Sequence, residues 1–160
     1  MNIVADSGPI LSFARANRLD LLHKVIGELV IPDAVYEDIV IQGAGKPGSE
    51  EVKQSSWIKR ESIKDRSLVY QLSQKLHAGE REAIALAKER GGILLVDEYE
   101  ARKEALRLGI EHFGSLRVIK EAKDRGIISK VAPILGELIS TGTYLSDTLY
   151  HDLLREMGEE

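Results

Sequence analysis

Apolar residues along this chain fall either in short continuous runs or at helical spacing. The clearest run covers residues 93–96 and ends on Asp97. Before it, residues 79–90 place apolar side chains at helical spacing, with Glu80 and Glu82 in the first turn. A run of four apolar residues without alternation is typical of a parallel strand that is covered on both faces. The pattern therefore predicts a helix, a tight turn and a buried strand.

The same reading extends to the rest of the chain. Further strands are predicted at residues 2–5, 28–31, 56–61 and 110–113, of which the one at 56–61 is peripheral. Helices are predicted to begin near residues 9, 18, 49 and 115 and to span residues 34–40, 68–76, 79–90, 98–108, 133–139 and 146–157. Alternating strands and helices predict an α/β fold, with helices on both faces of a central parallel sheet of about five strands.

Composition narrows the class of protein. A chain of 160 residues suits a single domain, 1–160, with the helices from about residue 130 as an extension. There are no cysteines, and the four histidines form no close-spaced pair, so any metal would be bound by oxygen. No apolar stretch approaches the roughly 20 residues that span a bilayer, and no leader pattern opens the chain. We therefore expect a cytoplasmic protein without a membrane role. The net charge of −4 neither supports nor excludes a nucleic-acid substrate.

Acidic residues recur where the predicted strands end. Asp6 and Asp97 directly follow two strands, Glu37 lies one turn into the helix after another, and Glu80 or Glu82 starts the helix before strand 93–96. Each of them alone could simply favour a helix start or cap a helix. Because carboxyl ends of parallel strands share one edge of a sheet, they could instead meet in one pocket. Such crowded carboxylates imply a hard divalent cation, Mg²⁺ or Mn²⁺.

Four polar residues are candidates for contact with a substrate. Ser7 and Ser115 follow strand ends, where their hydroxyl groups could bind a phosphate, orient a carboxylate or cap a helix. Arg102 and Lys103 lie on the helix after Asp97, and they form either a solvated face or a rim for phosphates.

Four segments carry a resemblance to a known family. They are Asp-Ser-Gly-Pro-Ile-Leu at 6–11, Val-Ile-Pro-Asp-Ala-Val-Tyr-Glu at 30–37, Gly-Glu-Arg-Glu-Ala-Ile-Ala-Leu-Ala at 79–87, and Leu-Leu-Val-Asp-Glu at 94–98. In this order and spacing they resemble the acidic motifs of PIN domains. The chain is most similar to prokaryotic PIN-domain proteins related to VapC-type toxins, and the resemblance covers nearly its whole length.

The resemblance implies a function as well as a fold. The expected fold is a three-layer α/β/α PIN-like domain, and the expected activity is that of a metal-dependent endoribonuclease. The expected partners are RNA, a small antitoxin protein and a second copy of the chain in a homodimer. Carried over by position, Asp6, Glu37, Glu80 and Asp97 would be the acidic cluster. Glu82 competes with Glu80 as a metal ligand, and Glu98 competes with Asp97.

Two other functions remain compatible with the sequence. A catalytically inactive PIN-like module could bind RNA or a protein without cleaving it. A doubly wound phosphatase or response-regulator-like domain could use Asp6 or Asp97 as a nucleophile. The second alternative fits less well, because no lysine or hydroxyl residue is well placed to assist it.

Overall fold

A parallel sheet forms the centre of the computed structural model, which describes residues 2–160. Its strands are β1 (Ile3–Ala5), β2 (Leu29–Pro32), β3 (Ile58–Glu61), β4 (Ile93–Leu95) and β5 (His112–Phe113). They are ordered β3-β2-β1-β4-β5, and every neighbouring pair is parallel. The predicted parallel sheet is therefore confirmed, and β3 lies at an edge of it.

Helices connect the strands and cover the sheet. They are α1 (Ser7–Arg15), α2 (Leu19–Ile26), α3 (Asp33–Tyr36), α4 (Ser49–Gln54), α5 (Ser67–Gln71), α6 (Ala78–Arg90), α7 (Tyr99–Arg107), α8 (Ser115–Asp124), α9 (Ala132–Ser140) and α10 (Asp147–Glu156). A π-helical segment, Glu37–Gln42, continues α3. Within residues 2–160, no helix is both long and apolar enough to pass through a membrane.

Each face of the sheet carries its own apolar core. Along β1, Ile3 and Ala5 belong to a core with α1, α2 and the carboxyl-terminal helices, whereas Val4 belongs to a core with α6 and α7. Successive strand residues point to opposite faces, so a strand buried on both faces has no polar positions. This arrangement explains the unbroken apolar runs and confirms the three-layer α/β/α fold.

The carboxyl-terminal helices share the core of the first face. Leu135 and Leu138 of α9 and Leu153 and Leu154 of α10 pack in the same cluster as Phe13 of α1. The segment predicted as an extension from about residue 130 thus covers apolar surface that α1 and α8 would otherwise expose to water.

The order of the strands reverses at β1. The chain moves from β1 through β2 to β3 on one side and then returns to place β4 and β5 on the other. In open α/β sheets, ligands bind in the crevice at the carboxyl ends of the strands where this reversal occurs. The crevice here lies between the ends of β1 and β4, which are paired directly.

Two predicted helices differ from the structure. The helix predicted at 34–40 is a four-residue α3 followed by the π-helical segment, whose turns are wider than those of an α-helix. The helix predicted at 68–76 ends at Gln71, although Leu72 and Leu76 are buried. Their spacing satisfies a helical pattern, but they fill the core from an irregular segment.

Candidate active site

The ends of β1 and β4 bring two predicted acids to one edge of the sheet. Asp6 follows β1 directly, and Asp97 follows β4 by two residues. The backbone N–H of Asp6 donates to the carbonyl oxygen of Leu95 at 3.0 Å, which extends the pairing of the two strands to Asp6 itself. The charge of Asp97 is close enough to raise the pKa of Asp6.

Asp6 is a buried carboxyl group with an altered pKa. Only 6% of its surface is exposed. The pKa of Asp6 is raised from 3.8 to about 6, mainly because burial leaves the charged form poorly solvated and also because of the charges of Asp38, Asp97 and Glu98. A hydrogen bond from the backbone N–H of Ser7 acts in the opposite direction.

Glu80 approaches Asp6 from the first turn of α6. A Cβ atom at Gly79 would lie 3.5 Å from Oδ1 of Asp6, so glycine lets the helix start close to this carboxylate. Burial, the charge of Asp6 and a contact with the carboxyl group of Glu98 raise the pKa of Glu80 to about 7. The N–H of His77 donates to Oε1 of Glu80 at 3.3 Å and partly opposes this shift.

A cavity joins these acids to the π-helical segment. It has a volume of about 420 Å³, and its wall includes Asp6, Ser7, Glu37, Asp38 and Glu80. The structure therefore brings acids from β1, the π-helical segment and α6 to one opening.

Asp97 is held by the beginning of α8. The backbone N–H of Ser115 donates to its Oδ1 at 2.7 Å, and the Ser115 hydroxyl donates to its Oδ2 at 2.6 Å. Ser115 is 4% exposed. Of the three roles considered for this serine, the contacts support orientation of a carboxylate.

The neighbouring acid, Glu98, faces Glu80 instead. Its carboxyl group lies in hydrogen-bonding contact with that of Glu80 and also accepts a hydrogen bond from the backbone N–H of Ala101 at 2.8 Å. Glu98 therefore caps α7 and belongs to the acidic group, so both residues of the Asp97–Glu98 pair contact the site.

Glu82 is engaged elsewhere. Its Oε1 accepts a hydrogen bond from the backbone N–H of Ala34 at 3.0 Å, and its Oε2 pairs with the guanidinium of Arg66 at 3.1 Å. Both oxygens thus have protein partners that join α6 to the start of α3 and to α5. These contacts favour Glu80 over Glu82 as the ligand from α6.

Asp38 is a candidate that the sequence reasoning missed. Its charge raises the pKa of Asp6, whereas Glu37 is 58% exposed at its side chain and lies 3.9 Å from the guanidinium of Arg60. Asp38 is exposed, as Glu37 is, so the apolar spacing that marks Val35 and Ile39 as buried gave no signal for it. Both Glu37 and Asp38 line the cavity.

The two predicted basic residues lie in different surroundings. Lys103 pairs with Glu100 at 3.4 Å and lies over the ring of Tyr99. Arg102 lies beside the acids, because a Cβ added to Gly114 would lie 2.6 Å from Oδ1 of Asp97 and 3.3 Å from Nη1 of Arg102. The geometry makes Arg102 the better placed cation for a phosphate.

The chemistry of the donor set fits a hard divalent cation. Among residues 2–160, no three acidic or histidine side chains stand close enough to hold one ion in their present positions. Most of the donors at the crevice are nevertheless carboxylates, with Ser7, Gln42 and His77 also in the cavity wall, and the pKa values of Asp6 and Glu80 are raised by burial and by like charges. A cation relieves this repulsion, so Mg²⁺ or Mn²⁺ suits these residues.

Comparison with known proteins agrees with this fold. The family model DUF3368, described as a PIN domain, matches residues 2–159. The chain belongs to the PIN family. PIN domains have a nuclease fold and generally use divalent metals. A PilT N-terminus domain protein from the hyperthermophilic archaeon Sulfolobus solfataricus P2 has a solved structure that covers 91% of this chain and 98% of its own, with a TM-score of 0.56 and 13% identity, which shows the fold alone. No curated protein matches the chain.

Neutralising Asp6 should stabilise the metal-free PIN domain at high pH. The pKa of Asp6 is about 6 in the folded chain against 3.8 ordinarily, so the folded state loses stability as pH rises through this interval. Asp6→Asn removes that loss, and we expect a gain on the order of 2 kcal/mol above pH 7 and none near pH 4. Urea unfolding in EDTA at both pH values measures the difference.

Added metal should reverse this order of stability between the wild type and Asp6→Asn. Mn²⁺ or Mg²⁺ that binds only the folded state raises the melting temperature of the wild type by mass action and raises that of Asp6→Asn less. Asp20→Asn, an exposed substitution on α2, is the matched control. We call Asp6, Glu80 and Asp97 the acid centre. A wild-type melting temperature that Mn²⁺ leaves unchanged would contradict the view that a cation relieves repulsion among these carboxylates.

Gly114→Ala should displace Asp97. The glycine has φ −120°, which any residue adopts, so the effect comes from the close Asp97 oxygen and not from backbone strain. We expect a loss of about 1–3 kcal/mol in unfolding free energy and a smaller Mn²⁺-induced rise in melting temperature. Gly136→Ala in α9 is the control, because its Cβ meets no atom within 4 Å. Equal behaviour of the two variants would show that Asp97 tolerates displacement.

Proposed function

We propose that this PIN domain is a divalent-metal-dependent endoribonuclease that hydrolyses phosphodiester bonds in single-stranded or structured RNA. One observation carries the proposal: Asp6 and Glu80 are buried together at the reversal of strand order, with pKa values of about 6 and 7. Carboxyl groups whose pKa values are raised by burial and by neighbouring carboxylates are typical of functional sites in clefts.

A defined set of carboxylates would bind the ion. Asp6, Glu80 and Asp97 are the proposed ligands, with either Asp38 or Glu37 contributing from the π-helical segment. An Mg²⁺ or Mn²⁺ ion held by these residues would supply Lewis-acid chemistry toward the phosphoryl group and would favour ionisation of water as the nucleophile. Glu82 is the weakest candidate, since both its oxygens have protein partners.

Other residues position the acids and the RNA. Ser115 fixes the orientation of Asp97 through two hydrogen bonds. The Ser7 N–H donates to Asp6, and the Ser7 side chain lies in the cavity wall, where its hydroxyl can contact a phosphate oxygen. Arg102 places a positive charge beside Asp97 and offers two parallel donors to a phosphate. Lys103 would add only a weaker, more distant attraction.

Removing a central ligand should abolish cleavage without abolishing RNA binding. We expect Asp6→Asn and Glu80→Gln to lower the Mn²⁺-dependent cleavage rate of single-stranded RNA at least about a hundredfold, because each loses a ligand with little change in shape. Glu82→Gln tests the weakest candidate ligand. It should lower the free energy of unfolding more strongly than it lowers the rate of cleavage. Comparison of Asp38→Asn with Glu37→Gln identifies the acid from the π-helical segment.

The cleavage assay has a matched control variant and one outcome that contradicts the nuclease proposal. Asp20→Asn, purified in the same way, should cleave like the wild type. If Asp6→Asn and the wild type cleave equally, the activity comes from a contaminant. The domain would then be an RNA- or protein-binding module that does not cleave.

We further propose that the domain is the toxin of a toxin–antitoxin pair and acts in the cytoplasm as a homodimer. The support is the resemblance of its four acidic segments and its carboxyl-terminal part to VapC-type proteins, together with its membership of the PIN family. A small antitoxin protein would then be its partner.

Expression of the wild type in a bacterial host should arrest growth, because cleavage of cellular RNA stops translation. Asp6→Asn should not arrest growth at equal protein level. Co-expression of the protein from the adjacent open reading frame should restore growth and yield a stable complex on purification. Full growth with an active, soluble wild-type nuclease would contradict the toxin role while leaving the nuclease assignment intact.

A further inference from the structure

A second, larger cavity opens beside the acid centre. It has a volume of about 720 Å³ and shares Asp97 with that centre. Its base is the junction of β5 and α8, and its walls come from α1, α9 and residues 142–149. Cavities of roughly 300–1,000 Å³ hold small organic ligands. The proposed nuclease function uses Asp97, Ser115 and Arg102 of its lining and gives the rest of the cavity no role.

Three arginines from three helices line this cavity. They are Arg15 of α1, Arg102 of α7 and Arg117 of α8, and within residues 2–160 none of them has a carboxylate oxygen within 4.0 Å. Most other arginines of the described chain are paired with carboxylates: Arg18, Arg60, Arg66, Arg90, Arg107 and Arg155. Unpaired guanidinium groups around one cavity, in a chain of net charge −4, mark a site for an anion.

The remaining wall is apolar and aromatic. Leu116 and Leu135 line the cavity, and the guanidinium of Arg117 lies 5.7 Å from the centre of the Phe113 ring. Tyr144, also in the wall, is 88% exposed, more than any other large hydrophobic side chain of the described residues. A ligand that combines an anionic group with a flat apolar body suits this lining.

A nucleotide whose base is unpaired has both properties. Bases of single strands stack on aromatic side chains, whereas bases inside a duplex are stacked on one another and cannot enter a cavity. We propose that this cavity binds one unpaired nucleotide of a single-stranded RNA, with its base against Phe113 and Tyr144 and its phosphate facing the three arginines. Because Asp97 is common to both sites, this nucleotide lies next to the phosphate at the acid centre. The last point rests on the proposed nuclease function.

Binding measured without metal separates this subsite from catalysis. The probe is a short fluorescent single-stranded RNA, titrated in EDTA with the wild type, Tyr144→Ala and Tyr70→Ala. Tyr70 is the matched control, since it is 73% exposed on α5 and outside the cavity. We expect Tyr144→Ala to weaken binding about tenfold, as loss of one stacking contact does, and Tyr70→Ala to bind like the wild type.

The arginines are tested by the salt dependence of the same titration. Arg15→Gln and Arg117→Gln should each reduce the slope of log affinity against log salt by about one unit if each contacts a phosphate. Arg107→Gln is the control, because Arg107 is exposed on α7 and already paired with Glu104.

Three results would overturn the subsite. The first is that Tyr144→Ala binds the RNA as tightly as the wild type does. The second is that a blunt RNA duplex binds as tightly as the single strand. The third is that Tyr144→Ala changes from dimer to monomer, which would assign the apolar mouth of the cavity to a second copy of the chain. The nuclease assignment fails separately. A wild type that loses affinity on Tyr144→Ala but never cleaves would keep the subsite and lose the nuclease, and active cleavage with no effect of Tyr144→Ala would do the reverse.

Discussion

The reversal of strand order at β1 is the constraint on which the acid centre depends. Since β2 and β4 pair with opposite sides of β1, the ends of β1 and β4 border a crevice that no connecting helix covers. Asp6 and Asp97 enter the crevice from the strands themselves. Helix α6, packed across the sheet, adds Glu80 at its first turn. Three distant segments therefore bring carboxyl groups to the same edge of the sheet without any long loop.

The fold was predictable because burial on both faces leaves a simple signature. Strands β1, β2 and β4 lie between two apolar cores, so their sequences are unbroken apolar runs. The prediction failed where apolar spacing did not match backbone conformation. Leu72 and Leu76 are buried at a helical interval outside any helix, since the core requires their volume and not a particular hydrogen-bonding pattern.

The candidate site was predictable only where the backbone alone sets its geometry. The pairing of β1 with β4 places Asp6 and Asp97 at the same edge of the sheet whatever their side chains contact. For acids on helices the outcome depends on rotation about the helix and on competing partners. Both carboxylate oxygens of Glu82 accept hydrogen bonds, from Ala34 and Arg66, and no local sequence pattern reveals these contacts. The π-helical segment likewise determines how Glu37 and Asp38 are presented, and π turns occur often at functional sites.

At neutral pH, the metal-free acid centre retains protons that an incoming cation must displace. The pKa of Glu80 is about 7 and that of Asp6 is about 6, and the contact between Glu80 and Glu98 gives a proton a place to reside. Uptake of a divalent cation at the proposed site would therefore be coupled to proton release, and the affinity for the ion would rise with pH until these carboxyl groups are ionised. The acid centre would then act as a proton buffer as well as a ligand set. Acidification would release the ion and return protons to the same oxygens in one step.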